Sequence, residues 1–128
     1  VKVAAESTAD GAFYNAGQSC CAVERIYVHK DVYQEFVQHF VAFTKTLKSG
    51  DPAADGVYLG PLARKAQLNV LEDQVRDAVK KGAKVLLGGE RPAGGKGYYY
   101  PATVLTEVNH SMAIMREESF GPVIGLQN

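Results

Sequence analysis

The sequence predicts a single domain of α/β fold, on three observations. Strand-like runs at residues 25–29, 84–88, 98–108 and 123–124 are interleaved with helical patterns. Two of those patterns, one opening at Asp31 and one at 63–81, repeat apolar residues at helical spacing opposite a polar face. The length, 128 residues, is one domain's worth of chain and enough to bury a core.

Composition narrows the function classes. Fourteen basic and fourteen acidic residues cancel to zero net charge. No basic stripe stands out, so no nucleic-acid partner is expected. The apolar runs fall short of the roughly 20 residues that a membrane span needs, and no signal-peptide pattern opens the chain, so no membrane partner is expected either. The only two cysteines, Cys20 and Cys21, are adjacent, which is poor geometry for a structural disulfide and points to a reducing, cytoplasmic setting. There is no internal repeat or linker. Without an initiator methionine, the chain reads as a piece of a longer protein.

Residues 1–14, rich in alanine, predict a helix leading into the cysteines. A short strand over 25–29 ends at Lys30-Asp31, and Asp31 is the expected N-cap of the next helix. There Val32, Phe36, Val37, Phe40, Val41 and Leu47 form the apolar face of about four turns. Ser49-Gly50-Asp51-Pro52 closes it. His39 is expected at its surface or boundary, because no second metal ligand sits at helical spacing. After a loop, Leu68, Leu71, Val75, Ala78 and Val79 mark the inner face of the second helix, with Gly82 placed as a C-terminal glycine cap. Residues 84–88 predict a short buried strand. Residues 98–108 are the most strand-like run, and Pro101 within it implies an edge position or a strand start. Tyr98, Tyr99 and Tyr100 are expected in packing and on the sheet surface, since no basic groove accompanies them. A short helical turn at 110–116 precedes the last strand.

Three stretches invite a chemical reading. In Gly88-Gly89-Glu90-Arg91-Pro92-Ala93-Gly94-Gly95-Lys96-Gly97 a phosphate loop fails: Glu90 stands five before Gly95 where glycine is required, and Gly97 follows Lys96 where Ser or Thr is required. A hairpin-type loop is the expectation. Glu117 and Glu118, as neighbours on the chain, are a poor acid/base dyad and read as solvated carboxylates. The stretch Phe13-Tyr14-Asn15-Ala16-Gly17-Gln18-Ser19-Cys20-Cys21-Ala22-Val23-Glu24-Arg25 places two thiols after a small-residue turn and before a strand. A thiol on such a loop can be exposed and activated, whereas a buried one is starved of thiolate. Gly17 permits backbone geometry closed to other residues, and successive amides there can stabilise a thiolate or an oxyanion. The alternative, cysteines as small apolar filler, stays open on these residues alone.

Asn15-Ala16-Gly17-Gln18-Ser19-Cys20, with aromatic Phe13, resembles the cysteine active-site motif of the NAD(P)-dependent aldehyde dehydrogenases. Glu117-Glu118-Ser119-Phe120-Gly121-Pro122 resembles a second motif of that family. Leu59-Gly60-Pro61-Leu62, Gly88-Gly89 and Tyr100-Pro101-Ala102-Thr103-Val104 extend the likeness over nearly the whole chain.

The resemblance implies part of that family's catalytic domain, with helices packed on a mostly parallel sheet and the cofactor-binding and oligomerisation segments absent. It implies oxidation of a small-molecule aldehyde to a carboxylic acid with NAD or NADP. Cys20 would be the nucleophile, passing through a thiohemiacetal and a thioester. Glu118 would hydrogen-bond the nicotinamide ribose hydroxyls, Phe120 would pack near the nicotinamide, and Gln67 falls where some members contact the cofactor. Cys21, whose side chain is expected to diverge from its neighbour's, reads as a spare or structural thiol. The family's general-base glutamate and oxyanion asparagine have no counterpart here: only nineteen residues precede Cys20, and Glu6 lacks the motif that would promote it. The isolated chain is therefore expected to lack complete activity, while the parent enzyme would be a homodimer or homotetramer. The alternatives are an inactive structural or interaction domain derived from the same fold, and a non-enzymatic redox or metal-binding module.

Overall fold

In a computed structural model of the chain, residues 1–94 and 96–128 are described; Gly95, part of the glycine-rich stretch above, lies outside them. Strands β1 (Arg25–Tyr27), β2 (Lys84–Leu87), β3 (Thr103–Thr106) and β4 (Val123–Gln127) form one sheet in the order β1-β4-β3-β2. β4 pairs parallel with β1 and with β3, and only β2 runs antiparallel, so the sheet is mostly parallel. All of β3 and the first four residues of β4 are buried, the pattern of strands covered on both faces. Their side chains alternate. Val104, Ile124 and Leu126 pack with Ala5, Phe13 and Phe40, while Leu105 and Val123 pack with Leu71, Val75 and Ile114.

Helices α1 (Lys2–Phe13) and α2 (Tyr33–Thr44) cover the first face. α1 turns Ala5, Ala9, Ala12 and Phe13 inward, so small side chains admit α2 closely. The Phe13 ring sits 6.1 Å from that of Phe40, which stacks on Phe36 at 6.0 Å. The Tyr33 hydroxyl donates to the Leu126 carbonyl at 3.0 Å, tying α2 to β4. Asp31 does not cap α2. The Val32 amide closes a turn on the His29 carbonyl, so the helix starts at Tyr33 and Val32 takes the cap position with no side-chain bond. The helix is also shorter than expected, 12 residues, because tight turn bonds replace the ladder after Thr44 and leave Leu47 in the following turn. His39 is part-exposed, 3.7 Å from Glu35.

Helix α3 (Lys65–Lys80) covers the opposite face with Leu68, Leu71, Val75 and Ala78. Val79 is 48% exposed, because neighbouring helix positions point about 100° apart and Ala78 takes the inward one. Gly82 does form the C-terminal cap, at φ +105°, with its amide on Val79 and the Ala83 amide on Ala78. The strand over 84–88 is not buried: as the antiparallel edge strand β2 it exposes Val85 and Leu86. In the run 98–108 only Thr103–Thr106 pairs, and it pairs in the centre of the sheet. Pro101 lies just before it, where a missing N–H does no harm, and the first ladder bond comes from the Thr103 amide to Pro122. Tyr100 is buried and donates to the Gly89 carbonyl at 3.1 Å. Burial pushes its phenol up to about 12. Tyr98 is exposed and Tyr99 half-buried.

Candidate active site

The cysteines owe their exposure to a left-handed turn. After α1 the backbone passes through Asn15, Ala16 and Gly17 at φ 50°, 54° and 70°. Only glycine adopts this region freely, and Ala16 there costs about 1–2 kcal/mol. Local bonds hold it. The Asn15 side chain donates to the Gln18 carbonyl at 2.9 Å, and the Gln18 amide donates back to Asn15 at 3.1 Å. The Tyr14 hydroxyl donates to Ser19 Oγ at 2.5 Å, and that oxygen also accepts the Cys21 amide at 3.2 Å. The Val23 amide then bonds the Gly11 carbonyl of α1, closing the loop. Gln18 anchors it from outside: its Oε1 accepts the Ala63 amide at 2.8 Å and its Nε2 reaches the Pro61 carbonyl at 3.4 Å.

Both thiols are exposed, which removes the apolar-filler reading. Their side chains do not diverge as expected. The two Sγ atoms lie 3.8 Å apart, since the tight turn brings neighbouring side chains to one side. Hydrogen bonding to Cys20, then the charge of a Cys20 thiolate, pushes the Cys21 thiol up from its ordinary value. The pair therefore resists carrying two negative charges at once.

The second motif is gripped through its backbone. Glu24 Oε1 accepts the Ser119 and Phe120 amides, each at 2.9 Å. From α3, Gln67 Nε2 donates to the Ser119 carbonyl at 2.5 Å and Gln74 Nε2 to the Glu118 carbonyl at 3.2 Å. Phe120 stands at φ 47°, a strained conformation for a bulky residue that surrounding contacts must hold. Between the motifs lies an open cleft of about 400 Å³, lined by Ser19, Cys20, Ala22, Glu24, Arg25 and Glu118. The Glu118 carboxylate is exposed in it and has no hydrogen-bond or ion-pair partner among the described residues. Phe120 is half-buried outside the cleft lining. Gln67 is buried, with both ends of its amide engaged inside the protein, on Ser119 and Arg64.

The Aldehyde dehydrogenase family model matches residues 1–128. The chain belongs to the aldehyde dehydrogenase family. It is 45% identical over 112 residues to the succinate-semialdehyde dehydrogenase [NADP(+)] of Mycobacterium avium, a match covering 88% of this chain and 24% of that protein. Its fold is similar to the crystal structure of lactaldehyde dehydrogenase from Escherichia coli, with a TM-score of 0.93, 39% identity, and coverage of 98% of this chain and 26% of the other. It is also similar to a Pseudomonas syringae aldehyde dehydrogenase mutant in complex with NAD+ and octanal, with a TM-score of 0.91, 34% identity, and coverage of 98% and 26%. The chain thus spans about a quarter of the length of the relatives it matches.

Within this aldehyde dehydrogenase segment, the tertiary structure brings Cys20 and Glu118 to one cleft and places Gln67 beneath Ser119. Glu24, Gln74 and Tyr14 do not stand out in the sequence as site residues. An acid four residues after Cys20 and two glutamines seven apart on α3 were visible signals, but their partners lie far away in the chain. Among the described residues no group of three or more His, Cys, Asp or Glu is arranged to hold a metal ion, and no helix is long and apolar enough to cross a membrane.

Proposed function

We propose that residues 1–128 are the cysteine-bearing part of a catalytic domain that oxidises an aldehyde with NAD+ or NADP+. The observation that carries this is the shared cleft, with an exposed thiol at one wall and an unpartnered carboxylate at another. That carboxylate suits the two vicinal hydroxyls of a nicotinamide ribose, each of which can donate to it. Names of relatives support either cofactor, one being an NADP(+) enzyme and another a complex with NAD+.

In this reading the Cys20 thiolate attacks the aldehyde carbon, a C–S bond forms, and the carbonyl π pair moves to oxygen. The Cys20 backbone N–H donates to that oxyanion. When bound, NAD+ or NADP+ would supply the acceptor for the hydride that leaves the adduct, so that a thioester remains on Cys20. Glu118 would hold the ribose hydroxyls and Phe120 would pack near the nicotinamide ring, while Gln67 holds the loop that carries both. Cys21, whose thiol its neighbour pushes up, is the spare thiol in this reading. Hydrolysis of the thioester releases the acid and restores the thiol, with a general-base glutamate and an oxyanion asparagine supplied from outside these residues. Two exposed thiols suit a reducing compartment such as the cytoplasm.

Turnover of aldehyde with NAD+ or NADP+ by the complete polypeptide tests this through the appearance of reduced cofactor. Cys20→Ser should abolish turnover and Cys21→Ser should retain it, whereas the 128-residue chain alone should show none. Turnover surviving in Cys20→Ser overturns the nucleophile assignment. Turnover by the isolated chain overturns the division of labour.

A further inference from the structure

The carboxylate of Glu24 is a half-buried acceptor with a specific task. It is 15% exposed, and its nearest cation, Arg25, is 3.7 Å from Oε2, too far to saturate it. Its other oxygen takes two successive amides, those of Ser119 and Phe120. Consecutive N–H groups converging on one anion form a backbone nest, and the positive φ of Phe120 is part of the geometry that makes them converge. Gln67 and Gln74 hold the carbonyls of Ser119 and Glu118 from the other side. The backbone around Glu118 is therefore fixed while its own carboxylate stays free in the cleft. Glu24 itself follows Cys20 by four residues, on a segment pinned to α1 by the Val23 amide.

We infer that Glu24 is a positioning residue that sets the distance between the Cys20 nucleophile and the ribose-binding carboxylate of Glu118. The inference rests on the cofactor reading above. A ribose diol bound by Glu118 is placed relative to the thiol by one side chain that leaves the cysteine loop and grips the cofactor loop. The acceptor atom is what matters. Glutamine keeps an Oε1 in the same place, and the part-exposed Arg25 can move away from the new amide. Alanine leaves both amides without a partner, and aspartate is one methylene too short to reach them.

Steady-state kinetics of the complete polypeptide provide the test, with Glu24→Ala, Glu24→Gln and Glu118→Gln compared. Loss of two hydrogen bonds to a charged group should raise the KM for NAD+ or NADP+ about tenfold or more in Glu24→Ala, with a smaller loss in kcat at saturating cofactor. Glu24→Gln should stay within about threefold of the parent, since a neutral acceptor weakens the bonds without removing them. In the complete polypeptide, Glu24→Ala should accelerate hydrogen exchange at the Ser119 and Phe120 amides while leaving the Leu105 amide protected. An unchanged cofactor KM in Glu24→Ala, with Glu118→Gln raising it, overturns the inference and leaves the cofactor reading standing. No effect of Glu118→Gln overturns the reading beneath it. Equal damage from Glu24→Gln and Glu24→Ala, or exchange accelerated throughout the chain, also overturns the inference, because charge or global stability would then be the cause.

Discussion

The backbones of Gly17 and Gly121 touch: a Cβ on Gly17 would lie 2.2 Å from the Gly121 carbonyl oxygen. The turn that presents Cys20 and the loop that carries Glu118 and Phe120 are thus seated directly on each other, with no side chain between them. Gly121 in turn rests on Leu71 of α3, where a Cβ would meet Cδ1 at 2.6 Å. A chain of close approaches runs from the thiol loop through the second motif into the core.

Gly17→Ala should break this junction. The residue stands at φ 70°, where a side chain costs about 1–2 kcal/mol, and the clash with Gly121 is with backbone that cannot swing aside. Thermal unfolding should show at least that loss. Gly56→Ala, also at positive φ but facing open space, serves as the comparison and should lose only the conformational part. Equal losses in the two variants would mean that the contact with Gly121 is unimportant.

Iodoacetamide near neutral pH should label Cys20 well before Cys21, as read by peptide mass spectrometry. Both are exposed, but its neighbour pushes the Cys21 thiol up, which leaves it less thiolate to react. The selectivity should fade in strong base, where both thiols ionise. Slow and equal labelling at neutral pH would show that the loop is not assembled in the isolated chain.

Asp77 should make stability fall in acid. Its carboxylate bonds Lys81 at 2.7 Å and the Ala113 amide at 2.8 Å, and these, Lys81 first, hold it below the usual carboxylate value of 3.8. A lowered value means stabilisation that is complete above 3.8 and lost as pH falls through the folded-state value. The Tm difference between the parent and Asp77→Asn should therefore be full at neutral pH and shrink in strong acid. A difference independent of pH would assign the effect to something other than ionisation.

Leu71→Ala should destabilise the chain by about 2–5 kcal/mol in urea unfolding, because Leu71 is fully buried beneath Gly121. Val79→Ala, eight residues along the same helix but 48% exposed, should change stability by only about 0.5 kcal/mol. Similar effects at the two positions would mean that α3 does not pack as described.

Local patterns are legible in the sequence because their physics is local. Phe36, Val37 and Phe40 on α2, and Leu68, Leu71, Val75 and Ala78 on α3, are buried as their spacing requires. Gly82 takes the positive φ that a helix end needs. Asp31 misled because a cap is defined to the residue, and the turn from His29 to Val32 shifted the helix start past it. Val85 and Leu86 misled because an apolar run reads the same whether its strand lies in the centre of a sheet or at the edge.

By itself the sequence determined the α/β class, the two amphipathic helices and the family to which its two motifs belong. Each is written in spacing or in contiguous residues. Only the tertiary structure decided that β2 is the exposed edge, that Cys20 and Cys21 bring their sulfurs within 3.8 Å, and that Glu24, Gln67 and Gln74 together grip one loop. Those relationships join groups far apart in the chain or depend on a left-handed turn. A hydrogen bond between distant residues leaves no trace in local periodicity, and it forms only when the packing of α1, α3 and the sheet brings donor and acceptor together.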